Sequence, residues 1–231
     1  MDKRITVAID GYSSTGKSTI AKQLASKLGY VYVDSGAMYR AMTLFSMQKG
    51  YISSSQFYVQ DLIDNLDNAS LEFIYNETLG FAEMYLNDVN VEKSIRSLEV
   101  SNLVSKVSAI PEVRKKLVAI QKEIGKNKAV VMDGRDIGSV VFTDAELKIF
   151  MTSSAETRAQ RRYDELIQKG EKVSYQDVYT NVVERDRVDT SRKDSPLVKA
   201  DGAIEIDNSQ LSKEKQFEII LKLVEEKLRD I

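Results

Sequence analysis

The chain has 231 residues, 42% apolar and 29% charged, with a formal net charge of −2 and neither histidine nor cysteine. That length allows one large domain with a sizeable core, and the balance excludes a disordered chain and argues against a nucleic-acid coat, which carries a basic excess. Without imidazole or thiol there is no Ser/His/Asp triad, thiolate nucleophile, disulfide or His-ligated zinc. Carboxylates, Lys, Arg, hydroxyls, backbone amides and a hard metal ion remain, a set suited to phosphoryl transfer, which rests on positioning and charge neutralisation.

No apolar run reaches the ~18 residues a membrane span needs, and "MDKRITVAID" leads into a strand without a signal-peptide h-region, so a cytoplasmic protein is expected. "ITVAID" is rich in β-branched residues, and "GKSTIAKQLASKLG" sets Ile20, Leu24 and Leu28 on one helical stripe that stops at Gly29. "YVYVD" is the next strand. This β-loop-α-β order predicts a parallel sheet with helices on its faces, the architecture of a three-layer α/β fold.

"SGAMYRAMTLFSMQKG" reads as a helix. Between about Leu71 and Val91, "LEFIYNE", "FAEMYLN" and "VNVEKS" alternate apolar with polar between turn residues, which predicts a small antiparallel insertion. Helical periodicity runs from Ser97 to Gly125, with Pro111 opening a second helix. "AVVMDG" and "ELKIFM" are buried strands. "SSAETRAQRRYDELIQKG" is a helix with Ser153 and Glu156 as a capping box and Gly170 as its stop. Another helix begins near Ser174, "AIEID" is a strand, and "KEKQFEIILKLVEEKLRDI" closes the chain as an amphipathic helix. The absence of repeats and Pro-rich linkers predicts one domain over 1–231 that the insertion interrupts without dividing.

Between the first strand and first helix stand Gly11, Tyr12, Ser13, Ser14, Thr15, Gly16, Lys17, Ser18 and Thr19. Gly11 and Gly16-Lys17-Ser18 satisfy G-x-x-x-x-G-K-[ST]. Glycines let successive N–H groups curl inward, Lys17 reaches terminal phosphates, the Ser18 hydroxyl ligates Mg²⁺, and the helix N-terminus adds its dipole. ATP and Mg²⁺ are implied. The loop alone leaves GTPases, motor ATPases and small-molecule kinases open. Against the GTPase stands "NKAV" at Asn127 to Val130, which lacks the aspartate of a guanine-binding Asn-Lys-x-Asp. Against the motor stands "AVVMDG", which offers Asp133 near the metal but no adjacent glutamate base.

A kinase with an anionic phosphate as acceptor needs cations more than a base. Arg40, Arg114 and Arg135 each fall just after a strand or in the first turns of a helix. Arg158, Arg161 and Arg162 share one helical face, and Arg185, Asp189 and Arg192 follow at i, i+4 and i+7. Arginine's planar fork suits bidentate phosphate contacts. From Glu156 to Asp194 nine basic and nine acidic residues cancel, so bulk charge says nothing there and the placement of the arginines is the signal. Two further features fit an acceptor base: a serine stripe at Ser97, Ser101, Ser105 and Ser108, and Asp136 beside Arg135, which could instead cap a helix.

"IDGYSSTGKST", "DSGAMYRA", "IRSLEVSNLVSKVSAIPEVR", "DGRDIGSVVF" and "ERDRVDTSR" followed by "SPL" together resemble the bacterial cytidylate kinases of the long-insertion (type 1) kind, across essentially the whole chain. The resemblance implies a P-loop NTPase core over about 1–60 and 97–231, a nucleoside-monophosphate-binding insertion over about 61–96, and a helical lid over about 154–195. It implies transfer of a phosphoryl group from ATP to CMP or dCMP with Mg²⁺, in pyrimidine nucleotide metabolism, by a monomer without nucleic-acid or membrane partners. Gly11 to Thr19 would hold ATP. Ser35, Ser105, Arg114 and Asp136 would surround the cytosine. Arg40, Arg135 and Arg192 would take the acceptor phosphate; Arg185 and Asp189 would lie at the ribose; Arg158, Arg161 and Arg162 would belong to the lid. Lys17, Arg135, Arg192 and the lid arginines would act in catalysis, Ser18 would ligate Mg²⁺, and Asp133 or Asp34 could contact it through water. Tyr12, Ser13, Ser14 and Thr15 depart from the Gly- and Pro-rich residues common in that loop, which bears on donor preference. The alternatives are a kinase for UMP or AMP and, from another class, a nucleotide-dependent switch or a binding module without turnover.

Overall fold

In the computed structural model, which describes residues 3–230, β1 (Thr6–Gly11) is the central strand of a parallel sheet and is buried along its whole length. A strand covered on both faces has no polar side to show, which is why "TVAI" reads as a continuous apolar run. β1 lies between β6 (Val130–Gly134) and β7 (Leu147–Thr152), with Asp10 opposite Gly134 and Gly11 opposite Met151. β8 (Ile204–Asp207) extends the sheet beyond β7, and the start of β2 (Val31–Asp34) joins at the β6 side, Val31 donating to the Ala129 carbonyl.

The chain forms two compact units, one made of the residues up to Val31 and from Gly125 onward, the other of Tyr32–Ile124. In the first, α1 (Lys17–Leu28) packs against β6, and α8 (Lys213–Asp230) against α1 and β7. Val7, Ile9, Leu24, Val131, Ile149 and Ile220 are wholly or almost wholly buried. Each such side chain contributes about 1.5–3 kcal/mol when removed from water. α6 (Ala155–Gln168) packs on α7 (Tyr175–Ser191). Gly29, at φ +65, ends α1 with the Tyr30 amide bonded back to Ala25, the left-handed stop anticipated there.

In the second unit the first helix is α2 (Ser35–Gln48), capped by Asp34, whose carboxylate accepts from the Ala37 amide. α3 (Val59–Asp64) leads to an antiparallel sheet of β3 (Leu71–Asn76), β4 (Phe81–Leu86) and β5 (Val89–Asn90), followed by α4 (Leu98–Ser108) and α5 (Pro111–Ile124). Its core joins Met38, Met42, Phe45, Leu62, Met84 and Leu117. β5 is only two residues long because the Glu92 side chain, and not the next backbone carbonyl, accepts from the Met84 amide. Asn87 and Asp88, both at positive φ, make the tight hairpin turn before it.

One sequence expectation is corrected. Ser153 does not cap α6: the cap is Ser154, whose hydroxyl accepts from the Thr157 amide, so the Ser153–Glu156 box is displaced by one residue. Ser153 is buried, and its carbonyl accepts from Arg158 Nε, which pulls the residue out of the capping position. Met1, Asp2 and Ile231, the ends of the expected single domain and, for Ile231, of the closing helix, lie outside the described residues. Among the described residues no helix is long and apolar enough to cross a membrane.

Candidate active site

In the first unit the glycine loop and Arg135–Asp136 follow the carboxyl ends of the parallel strands β1 and β6, where open α/β sheets form their binding crevices, while the remaining predicted arginines and Asp189 lie on α6 and α7 or at the end of α7. The loop after β1 curls because three residues take positive φ: Gly11 at +146°, Ser14 at +61° and Gly16 at +89°. Gly11 has no alternative, since a Cβ there would lie 2.0 Å from the Met151 carbonyl oxygen. Lys17 is buried and donates its Nζ to the Tyr12 carbonyl at 2.6 Å. Thr15 Oγ1 donates to the same carbonyl, and Arg158 Nη1 donates to the carbonyl of Ser13. Protein donors thus hold the Tyr12 and Ser13 carbonyls of the loop. Ser18 Oγ donates to Asp133 Oδ2 at 2.9 Å.

Burial, and after it the Arg135 guanidinium, push the Lys17 pKa well below the ordinary lysine range; Asp133 and Asp10 oppose the shift and Arg185 adds to it. Arg185 is itself pushed down to about 10 by burial and by Arg135, and its buried Nε has no hydrogen-bond partner among the described residues. Several guanidinium groups thus share a field with one buried ammonium, an arrangement that asks for an anion.

Arg135, one residue past β6, donates its Nε to Asp189 Oδ2 at 3.0 Å, and Arg192 Nη2 lies 3.8 Å from Asp189 Oδ1. Asp136 is buried and makes no side-chain cap for the π-turn Ile137–Val141. Of the arginines on α6, Arg158 pairs with Asp186 at 2.6 Å and stacks over the Tyr12 ring at 5.2 Å. Arg161 donates to the side chain and the carbonyl of Asn208, and Arg162 pairs with Glu165. Tyr12, the unusual loop residue, also meets Phe150 edge to face at 6.0 Å.

The second unit holds Ser35, Arg40, Ser105 and Arg114. Ser35 is buried at the start of α2. Arg40 donates to Ser101 Oγ at 2.8 Å and to the Ile95 carbonyl at 3.3 Å. Arg114 is buried, donates to the Ser108 carbonyl and lies over Tyr39 at 5.5 Å. The serine stripe divides by role: Ser97 caps α4, Ser101 receives Arg40, and the Ser105 carbonyl accepts from the Ser108 hydroxyl. Burial alone would raise Asp34, but Arg96, at 2.8 Å, holds its carboxyl below the usual range.

Three polar residues escaped the sequence reading. Asn208, fully buried, donates to the Thr15 carbonyl and to Gln216 while accepting from Arg161, linking the phosphate loop to α6 and α8. Arg96 bridges Asp34 and Glu92. Asp10 accepts two backbone amides of the π-turn. The usable signal was position: Asp10 and Asn208 each stand at or just past the carboxyl end of a strand.

A glycine loop between a parallel strand and a helix, with a buried lysine facing guanidinium groups, defines a P-loop phosphotransferase. A profile of the family described as Cytidylate kinase matches residues 7–226. The chain belongs to that family. It is 67% identical over 222 residues to the cytidylate kinase of Flavobacterium johnsoniae, spanning 96% of each chain. To the cytidylate kinase of Phocaeicola vulgatus it is 55% identical over 210 residues, 91% of this chain and 92% of that one. A crystal structure of an uncharacterized protein from Eubacterium ventriosum shares the fold at a TM-score of 0.50, with 11% identity over 97% of this chain and 99% of that one.

Proposed function

We propose that this enzyme transfers the γ-phosphoryl group of ATP to CMP or dCMP, giving ADP and CDP or dCDP. The observation that carries the reading is the field shared by Lys17 at the start of α1, Arg135 just past β6 and Arg185 on α7, cations matched to a transferring phosphoryl group. An acceptor phosphate oxygen attacks the γ-phosphorus as the bond to the β–γ bridging oxygen breaks, and that oxygen leaves on ADP. The acceptor is already anionic, so no strong base is needed.

The loop Gly11 to Thr19 binds the donor phosphates through its amides, and Lys17 neutralises them. In the first unit Arg135 and Arg192 are assigned to the acceptor phosphate, Arg185 and Asp189 to the ribose, and Asp136 to the cytosine amine. In the second, Arg40 is assigned to the acceptor phosphate and Ser35, Ser105 and Arg114 to the base. Residues of about 61–96 serve as the monophosphate-binding insertion, and about 154–195 as a lid whose Arg158, Arg161 and Arg162 act on closure, when water that could accept the phosphoryl group is excluded.

Mg²⁺ fits the donors present. Ser18 Oγ and Asp133 Oδ2 are hard oxygens 2.9 Å apart, the pair that would hold a magnesium ion directly and through water. Among the described residues no group of three or more acidic, His or Cys side chains forms a metal cage, which suits an ion bound chiefly by phosphates and water. When bound, the ion neutralises charge developing on the phosphate oxygens. The working form is taken as a cytoplasmic monomer of 26.1 kDa acting on free nucleotides, with no nucleic acid or membrane involved. Light scattering after size exclusion checks the mass.

The deciding experiment measures ADP formation with CMP, dCMP, UMP and AMP as acceptors, with and without EDTA. Turnover with CMP and dCMP that EDTA abolishes and Mg²⁺ restores is expected. Turnover with UMP or AMP alone would move the acceptor, and no stimulation by any monophosphate would sink the reading in favour of a switch or binding module.

A further inference from the structure

Asp10 is the last side chain of β1 before the glycine loop, and none of the roles above uses it. It is buried, its Oδ1 accepting from the Ile137 amide at 2.8 Å and its Oδ2 from the Gly138 amide at 2.7 Å. These amides open the π-turn Ile137–Val141, whose own preceding residue, Asp136, supplies no side-chain cap. The cap comes instead from the neighbouring strand. Because Asp10 also stands opposite Gly134 in the parallel ladder, the short segment from Gly134 to Ile137 is pinned at both ends. The two residues between the pins are Arg135 and Asp136.

The arrangement is costly, which argues that it is kept for a purpose. A carboxylate enclosed this way loses its hydration, and burial raises Asp10 to about 6 even though both amides pull it down; nearby Asp136 raises it further and Lys17 lowers it.

We infer that Asp10 is a positioning residue for acceptor use, fixing the Arg135–Asp136 segment so that Arg135 reaches its place against Asp189. The inference rests on the assignment of that segment to the acceptor. The carboxyl group accepts from both amides at once, one on each oxygen. Asparagine would offer one carbonyl and set its own N–H₂ against the other amide, donor to donor.

Steady-state kinetics of Asp10→Asn, varying CMP at saturating ATP and then ATP at saturating CMP, test it. The expected result is a rise of about tenfold in KM for CMP with KM for ATP within about twofold of wild type. A merely structural role would disturb the adjacent phosphate loop at least as much, so an equal rise in both KM values, or no change in either, overturns the inference. If Asp10→Asn does not fold, Asp10→Ser, which removes the carboxylate and leaves at most one acceptor oxygen for the two amides, is held to the same split and the same overturning results. Wild-type enzyme runs in parallel: loss of CMP-dependent turnover there would strike the proposed function, whereas loss of selectivity in the variants strikes only the role of Asp10.

Discussion

Arg135 donates its Nε to Asp189 Oδ2 at 3.0 Å, joining the loop at the end of β6 to the last turns of α7 through an ion pair in which Asp189 is almost fully enclosed. Such a pair is a poor source of stability, since desolvation consumes most of the Coulombic gain. Its use is orientation: Asp189 fixes one edge of the guanidinium, and with Arg192 also at Asp189 two arginines are set by one carboxylate. Arg135→Ala is expected to lower kcat/KM for CMP by about a hundredfold. Asp189→Asn keeps the shape but loses the charge and should cost about tenfold. Initial rates at varied CMP measure both, and equal values for wild type and Asp189→Asn would refute the orienting role.

Lys17→Met separates chemistry from folding. The ammonium is buried, and its pKa lies below that of an exposed lysine because burial, Arg135 and Arg185 disfavour the charged form. Removing that charge relieves the fold while depriving the donor phosphates of their cation. Turnover should fall by at least about a hundredfold, whereas the melting temperature at pH 7 should hold or rise. An assay and a thermal melt on the same preparation check the pair of outcomes.

Gly11→Ala carries the opposite signature. At φ +146 and with its Cβ 2.0 Å from the Met151 carbonyl oxygen, the new side chain cannot be housed without parting β1 from β7. Urea denaturation should show a loss of about 3 kcal/mol or more. A loss under about 0.5 kcal/mol, the scale of an ordinary surface substitution, would mean the loop does not take this conformation.

Asp10 sets a pH dependence whose sign can be worked out. Its folded pKa of about 6 lies above the ordinary 3.8, so between those values the native state holds a proton that the unfolded chain has released. The associated stability is fully present below about pH 4 and is lost as pH rises through 6. A rise from 3.8 to about 6 corresponds to about 3 kcal/mol. Urea titrations from pH 4 to 7.5 should show the stability of wild type relative to Asp10→Asn falling by this order across the window. A difference independent of pH would show that Asp10 is ionised throughout.

The β-loop-α start, the antiparallel insertion and the phosphate loop were readable because their signals are contiguous: periodicity of 2 or 3.6 residues, turn residues at fixed offsets, and a glycine pattern closed within nine positions. The α6 cap was misread by one residue because Ser153 and Ser154 are equivalent as sequence, and only the reach of Arg158 back to the Ser153 carbonyl distinguishes them. Helical spacing placed Arg158, Arg161 and Arg162 on one face, yet their partners Asp186, Asn208 and Glu165 belong to three different segments. The same holds for Asp10, whose bond to Ile137 spans 127 residues. Which residues can bind a triphosphate is a matter of local backbone geometry and side-chain type, and the chain states it in order. Which charge meets which depends on crossovers between parallel strands that bring distant residues to one edge of the sheet, and that is decided only when the sheet has formed.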